Sequence, residues 1–365
     1  MSVAAGVAEA VIMPAVHRAS ELGCAMALRL SLIRRSIVVV IPISVLVILA
    51  AWKIGNVGNF TILCILVPLP ILASLSAIYT GFLNAEGNFR LAVMSPIYGS
   101  ILSVPFLFAL PTSAQSLAII LLLFELGRVA GLRLSLPRFV EEIGGEQSAL
   151  PGNVLSWAIR GAGFQALGSF MVAMNPLIDI FFAKLLGSGA ISSVEYANRL
   201  WNIVPLFFTG TLMLLHSRWS HSAVHSTPDV GEVHKKAIRI GIIAGGISMM
   251  LISVSGPIVN LLYGFGSMSE GGRDTLAWLL AAYLLGASPF IVGLIYVRAL
   301  SVQGDMHVLA TVAAVGVICN AVGDFVLMQY LGVIGIGLAT TITYTFVTLL
   351  LWRNFNIRYQ GIGPR

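Results

Sequence analysis

The sequence predicts an all-α, polytopic membrane protein of about eleven transmembrane helices arranged as two parallel-repeat lobes. Three observations carry that prediction. Hydrophobic residues make up 58% of the 365, and charged residues only 10%, where a soluble domain has about 25%. Apolar runs long enough to cross a ~30 Å hydrocarbon layer as helices recur from end to end. A short polar segment, "NAEGNFRLAVMSP" at 84–96, returns as "SVQGDMHVLATVA" at 301–313. Helices satisfy their own backbone groups in lipid, and the alternating pattern of a membrane β-barrel is not seen.

The first span is read over residues 2–18. It carries Glu9 and no basic leader, so it does not read as a cleaved signal sequence. Spans follow at 32–54, 60–83, 90–111 and 114–134. Residues 135–156, "SLPRFVEEIGGEQSALPGNVLS", form the longest polar connection. The lobe boundary is set there, near Pro151: residues 1–150 make a five-helix N-terminal lobe and 151–365 a six-helix C-terminal lobe. The second lobe is read as spans at 157–186, 200–219, 237–263, 275–301, 307–330 and 333–353.

With the spans in place, 17 of the 21 Lys and Arg residues fall on one side of the membrane and 4 on the other. Cytoplasmic loops hold such an excess, so that side is cytoplasmic, the C-terminus included. The net charge of +6 is thereby a topology signal, not a nucleic-acid footprint. Eleven spans then put Met1 outside, and a preceding helix is expected to be missing from the first lobe. The repeat agrees with this. Gly87 falls on Gly304 and Tyr79 on Tyr296 at an offset of 217, while "VIMPAVHRAS" at 11–20 echoes "TLMLLHSRWS" at 211–220. Parallel repeats of this kind belong to transporters with a substrate site between the halves. Gly87 and Gly304 are expected to serve tight turns.

Several classes are disfavoured. Cys24, Cys64 and Cys319 have no metal spacing, and His221, His225 and His234 form no zinc motif. No phosphate loop, nucleophile elbow or paired-carboxylate motif stands out, so no enzyme activity and no cofactor are expected. The loops are too short for a glycan polymerase or ligase.

The segment "NPLIDIFFAKLLGSGAISSVEYANRLWNIVPLFFTGTLMLLHSRWS" resembles two consecutive helices of the lipid II flippase family. There an Asp-bearing helix leads into a "Y-A-[DN]-R-L" turn. "RALSVQGDMHVLATVAAVGVICNAVGDFVLMQYLGVIGIGLATTI" and "GFLNAEGNFRLAVMSP" resemble the family's paired loops and following helices. The likeness runs over nearly the whole chain and extends to the multidrug/oligosaccharidyl-lipid/polysaccharide flippase superfamily. It implies alternating access between two lobes around a cationic cavity, with a polyprenyl-diphosphate-linked glycan as substrate, in the bacterial inner membrane. Membrane lipids and cell-envelope assembly proteins are the other partners considered, and nucleic acid is not one. The alternatives are a multidrug/cation antiporter of the same superfamily and a transport-inactive membrane scaffold.

A diphosphate in a low-dielectric cavity needs cationic donors, and charged residues inside spans are functional candidates. Arg199 matches the family's cavity arginine and is the leading substrate contact. Asn198, Lys184, Asn175 and Asp179 are candidates beside it. Asp179 is read as a partner for a cavity arginine, a site for a coupling cation or proton, or a structural partner for Lys184 or Arg199. Asn175 and Pro176 precede it by about one turn and suggest a bend. Glu125 and Arg128, spaced i, i+3, read as a structural pair or a gate. Asp324, four residues after Asn320, is a deep carboxylate and a candidate for ion coupling. Arg18 and Arg218 read as snorkelling ends or gate contacts.

Overall fold

The computed structural model describes residues 11–53, 57–135, 151–187, 189–223, 229–266 and 268–360. Within these residues the chain is helical and contains no strand. Eight stretches are long and apolar enough to cross a membrane, from Phe60–Ala85 to Val333–Tyr359. The chain is thus an all-α, multi-pass membrane protein. Residues 2–10 of the first expected span, and 136–150 of the joining loop, lie outside the described residues.

The chain falls into two compact units that divide between Ala162 and Gly163. The first holds α1 (Met13–Glu21), α2 (Ala25–Lys53), α3 (Val57–Leu66), α4 (Leu69–Ala85), α5 (Phe89–Ala109) and α6 (Ala114–Ser135). It also holds the beginning of α7 (Gly152–Leu185). Its core is built where α1, α2 and α4 meet, from Ile12, Val16, Leu28, Ile78, Phe82 and Leu83, closed by Leu132 and Val154. In the same unit the Arg29 guanidinium lies 5.4 Å from the Tyr79 ring centre, and Arg18 lies 4.2 Å from that of Trp157. Both are cation–π contacts that keep a basic group at a helix end beside an apolar core.

The second unit holds the rest of α7 and then α8 (Ala190–Trp201), α9 (Ile203–Ser222), α10 (Val230–Ser253) and α11 (Ser255–Tyr263). It is completed by α12 (Glu270–Leu285), α13 (Ala287–Gln303), α14 (Met306–Leu331) and α15 (Val333–Tyr359). Two spans that read as single apolar runs, 237–263 and 275–301, are two helices with a break inside: α10/α11 at Val254 and α12/α13 at Gly286; a further helix, α8, leads into the 200–219 span and breaks from α9 at Asn202. At the Gly286 break the Thr341 hydroxyl donates to the Ala282 carbonyl at 2.6 Å. This supplies a partner for a backbone acceptor near the break, as lipid cannot. Leu276, Leu279, Leu284, Ile291 and Ile295 of α12 and α13 are fully buried, so this broken helix forms the centre of the unit. Outward faces carry Leu206, Phe207, Ile242 and Met250, all largely exposed. That is the pattern expected where hydrocarbon, not protein, covers the surface.

The repeated loop has the same backbone bonds in both units. Gly87 N–H donates to Asn84 O and Asn88 N–H to Leu83 O; Gly304 N–H donates to Ser301 O and Asp305 N–H to Leu300 O. Both glycines have positive φ, +78° and +87°. A left-handed glycine after the last helical turn closes a helix end in this way, so the turn role expected from sequence holds.

α15 approaches the backbone of α14 closely at Gly335. A Cβ placed on Gly335 would collide with the Leu327 carbonyl and come within 2.9 Å of Met328 N. These are backbone atoms and cannot turn aside. Gly335→Ala is expected to cost about 2 kcal/mol by overpacking. It should lower the thermal unfolding midpoint in detergent, whereas Gly256→Ala, which meets nothing within 4 Å, should not.

Candidate functional site

Four helices of the second unit bring polar groups together in an apolar interior. Asp179 lies on α7 and Asp324 on α14, each about two turns before its helix ends. Asn320, one turn before Asp324, donates through Nδ2 to Asp179 Oδ1 at 2.7 Å and more weakly to Asp324 Oδ2 at 3.4 Å. Tyr283 of α12 donates its hydroxyl to Asp179 Oδ2 at 2.8 Å. Thr340 of α15 lies 3.3 Å from the same oxygen and 3.2 Å from the Ile336 carbonyl, so its single proton serves one or the other. Asp179 is 2% exposed, and Asn320 and Asp324 are 0% exposed.

The cluster has more acceptors than donors. Asp324 Oδ1, Asn320 Oδ1 and, one turn before Asp179 on α7, Asn175 Oδ1 are buried without a hydrogen-bond partner among the described residues. An ionised carboxylate only accepts, and two of them share one amide here. If both were ionised, two negative charges held away from water would need a compensating positive charge, and a proton shared between the two carboxyls is the smallest that serves. The available ligands are all oxygen (carboxylate, amide carbonyl and hydroxyl), which suits a hard monovalent or divalent cation, or a proton, and not a soft metal. No group of three or more His, Cys, Asp or Glu side chains placed to hold a metal ion occurs among the described residues.

Pro176 lies within α7 without ending it. Proline has no N–H, so the Val172 carbonyl loses its intrahelical donor about two turns before Asp179. Lys184, five residues after Asp179, is exposed and is not one of its hydrogen-bond partners. The carboxylate is held by neutral donors from three other helices.

Arg199 is on α8, near its end. It is largely exposed, with Nη2 3.7 Å from Glu195 Oε2 one turn earlier. An exposed pair at this distance contributes little, so the guanidinium fork is available to an anion. Asn198 accepts from the Asn202 side-chain amide, at 2.6 Å on its carbonyl and 3.3 Å on Oδ1, which caps the break between α8 and α9. In the first unit Arg128 Nη1 lies 3.5 Å from Glu125 Oε1, and its Nε donates to Ser95 Oγ at 3.2 Å. Arg128 therefore ties α6 to α5. Arg18 rests on Trp157, while Arg218, its counterpart in the repeat, is exposed.

Sequence reading named Asp179 and Asp324 separately and missed Tyr283, Thr340 and Glu195. A tyrosine or threonine in an apolar run was the available signal, since a buried hydroxyl requires a partner.

The family model described as "Lipid II flippase MurJ" matches residues 22–364. A probable lipid II flippase of Synechocystis is 27% identical over 326 residues, covering 82% of this chain and 59% of the relative. One of Rickettsia prowazekii is 27% identical over 190 residues, covering 50% of this chain and 36% of the relative. The chain thus spans less than two thirds of the length of these relatives. Among solved structures, a MATE crystal structure in the straight conformation has a TM-score of 0.81 at 13% identity, covering 98% of this chain and 84% of that one. A MOP superfamily transporter from Pyrococcus furiosus has a TM-score of 0.79 at 13% identity, with 98% and 84% covered. At that identity the likeness establishes a shared fold.

Proposed function

The chain belongs to the lipid II flippase MurJ family, and from that premise we propose that it translocates a polyprenyl-diphosphate-linked glycan across the bacterial inner membrane by alternating access, coupled to a cation or proton at Asp179 and Asp324. The observation that carries the coupling is the buried oxygen cluster: two carboxylates that share one amide donor and leave Asp324 Oδ1 unpartnered. Proton or cation entry satisfies the cluster, and its loss leaves uncompensated charge, so occupancy biases the packing of α7, α12, α14 and α15. A charge that moves through the whole membrane potential gains about 2.3 kcal/mol per 100 mV, enough to drive a step of this kind.

In this reading Arg199 meets the diphosphate. A guanidinium presents two parallel donors to phosphate oxygens, and the glycan follows the diphosphate while the polyprenyl tail remains in lipid. The C-terminus is cytoplasmic, as the 17-to-4 distribution of Lys and Arg implies. The family is by name one of transporters, and the chain is read as having no catalytic step.

Proteoliposomes loaded with a fluorescent lipid II test the reading. Translocation should follow an imposed sodium or proton gradient and collapse when ionophores dissipate it. Folded protein that moves no lipid-linked glycan under any gradient would sink it.

A further inference from the structure

Three aromatic rings pack into a wedge between the end of α8, which carries Arg199, and the helices that hold the buried carboxylates. α8 ends on Trp201, two residues after Arg199, and the helix breaks at Asn202. Trp201 is buried. Its ring stacks on Tyr344 of α15, with centroids 5.5 Å apart and planes inclined by 23°, and meets Phe290 of α13 edge-on at 5.1 Å. Phe290 and Tyr344 also touch, at 4.7 Å between centroids.

The wedge reaches within one helical turn of the carboxylate cluster. Tyr344 follows Thr340 by one turn of α15, so the two lie on the same helix face. That face puts one hydroxyl beside Asp179 and one ring against Trp201. Tyr283, the donor to Asp179, sits on α12, just before the Gly286 break that leads into the helix of Phe290. The Trp201 indole N–H is itself buried without a hydrogen-bond partner among the described residues. An unpaired buried donor is a cost that a displacement of α8 relieves once the N–H reaches an acceptor. The wedge thus has a reason to occupy a second position.

We propose that Trp201 is a positioning residue that ties the charge on the Asp179–Asp324 pair to the setting of α8, and so to the grip of Arg199 on diphosphate. The proposal rests on the cation and diphosphate reading given above. When a cation or proton neutralises the pair, the hydroxyls of Thr340 and Tyr283 are released from holding a bare carboxylate. Tyr344 then shifts against Trp201, and α8 carries Arg199 with it. Such coupling is reciprocal: the factor by which the cation changes diphosphate affinity equals the factor by which diphosphate changes cation affinity.

The test uses the full chain in nanodiscs. Sodium chloride is titrated against choline chloride, and pH is varied, while tryptophan emission is recorded for wild type, Trp201→Phe and Asp179→Asn. Direct sodium binding is measured in parallel with a radioactive tracer, and proton uptake with a pH indicator. The wild type should show an emission change that both variants lose, with Trp201→Phe still binding the ion at wild-type affinity. In a second arm, the affinity for undecaprenyl diphosphate is measured with and without the ion. It should change at least ~5-fold in wild type, not at all in Trp201→Ala, and measurably again in Trp201→Phe, which keeps a ring in the wedge. Ion binding with no emission change in wild type, or full coupling in a folded Trp201→Ala, overturns the role of Trp201. Absence of any sodium or proton binding in wild type overturns the cation reading and the wedge with it, and the parallel binding measurement tells the two failures apart.

Discussion

Asp179→Asn is expected to reduce ion affinity by ~10- to 100-fold and to abolish gradient-driven translocation. The estimate follows from the ~1.5–3 kcal/mol carried by one interaction with a charged group. The substitution keeps the shape of the side chain and one acceptor for the Tyr283 hydroxyl. It removes the charge that makes a cation welcome, and turns half of the carboxylate into a donor facing the Asn320 amide, which also donates. The fold should survive, because a neutral amide is easier to bury than a carboxylate, and the thermal midpoint should stay level or rise. Tracer sodium binding, proton uptake and translocation in the same preparation check this. Asp179→Asn protein that still transports with an unchanged ion dependence would remove the cluster from the coupling path. Asp324→Asn should give the same phenotype, and the double variant should be little worse than either, since the two groups act as one site.

Arg199→Ala is expected to weaken binding of undecaprenyl diphosphate by ~10- to 100-fold, again from the loss of a charge-assisted contact, and to leave ion binding unchanged when no substrate is present. Stability should hardly move, because the side chain is 73% exposed and its one ion-pair partner is Glu195 at 3.7 Å. Arg199→Lys should recover only part of the affinity, since lysine restores charge without the planar fork. Glu195→Gln should tighten diphosphate binding modestly by freeing the guanidinium. Filter or quench assays of undecaprenyl diphosphate binding decide the matter, and equal affinity in wild type and Arg199→Ala would move the anion site elsewhere.

The apolar spans were legible in the sequence because burying a backbone in lipid imposes length and composition at once, and both can be counted. The all-helical, multi-pass class followed from that alone. The breaks at Val254 and Gly286 were not legible. Hydropathy does not register a broken helix when both halves are apolar, and the freed carbonyls are satisfied by side chains such as Thr341 from another helix. The site was half legible. Asp179 and Asp324 stood out because a carboxylate is costly in an apolar run. Their meeting did not, because it depends on which faces of α7 and α14 turn towards each other, and one sequence contains no record of that pairing. Proximity along the chain made Lys184 an obvious partner for Asp179, yet a residue five positions on is turned well away on a helix, and the carboxylate found neutral donors across the interior instead.

The matched turns at Gly87 and Gly304 say something about where a repeat in such a molecule can be read. Around them the side chains differ, Glu86 against Gln303 and Arg90 against His307, while the four backbone hydrogen bonds keep the same pattern. Side chains on a lipid-facing surface are interchangeable among apolar types, so a likeness between two spans is hard to read from them. A left-handed turn that only glycine adopts cheaply accepts almost no substitute. In a membrane protein with an internal repeat the likeness of the halves is therefore clearest in a few punctuation marks between helices, and a search for such repeats in greasy sequences does best to align the turns first and let the spans follow.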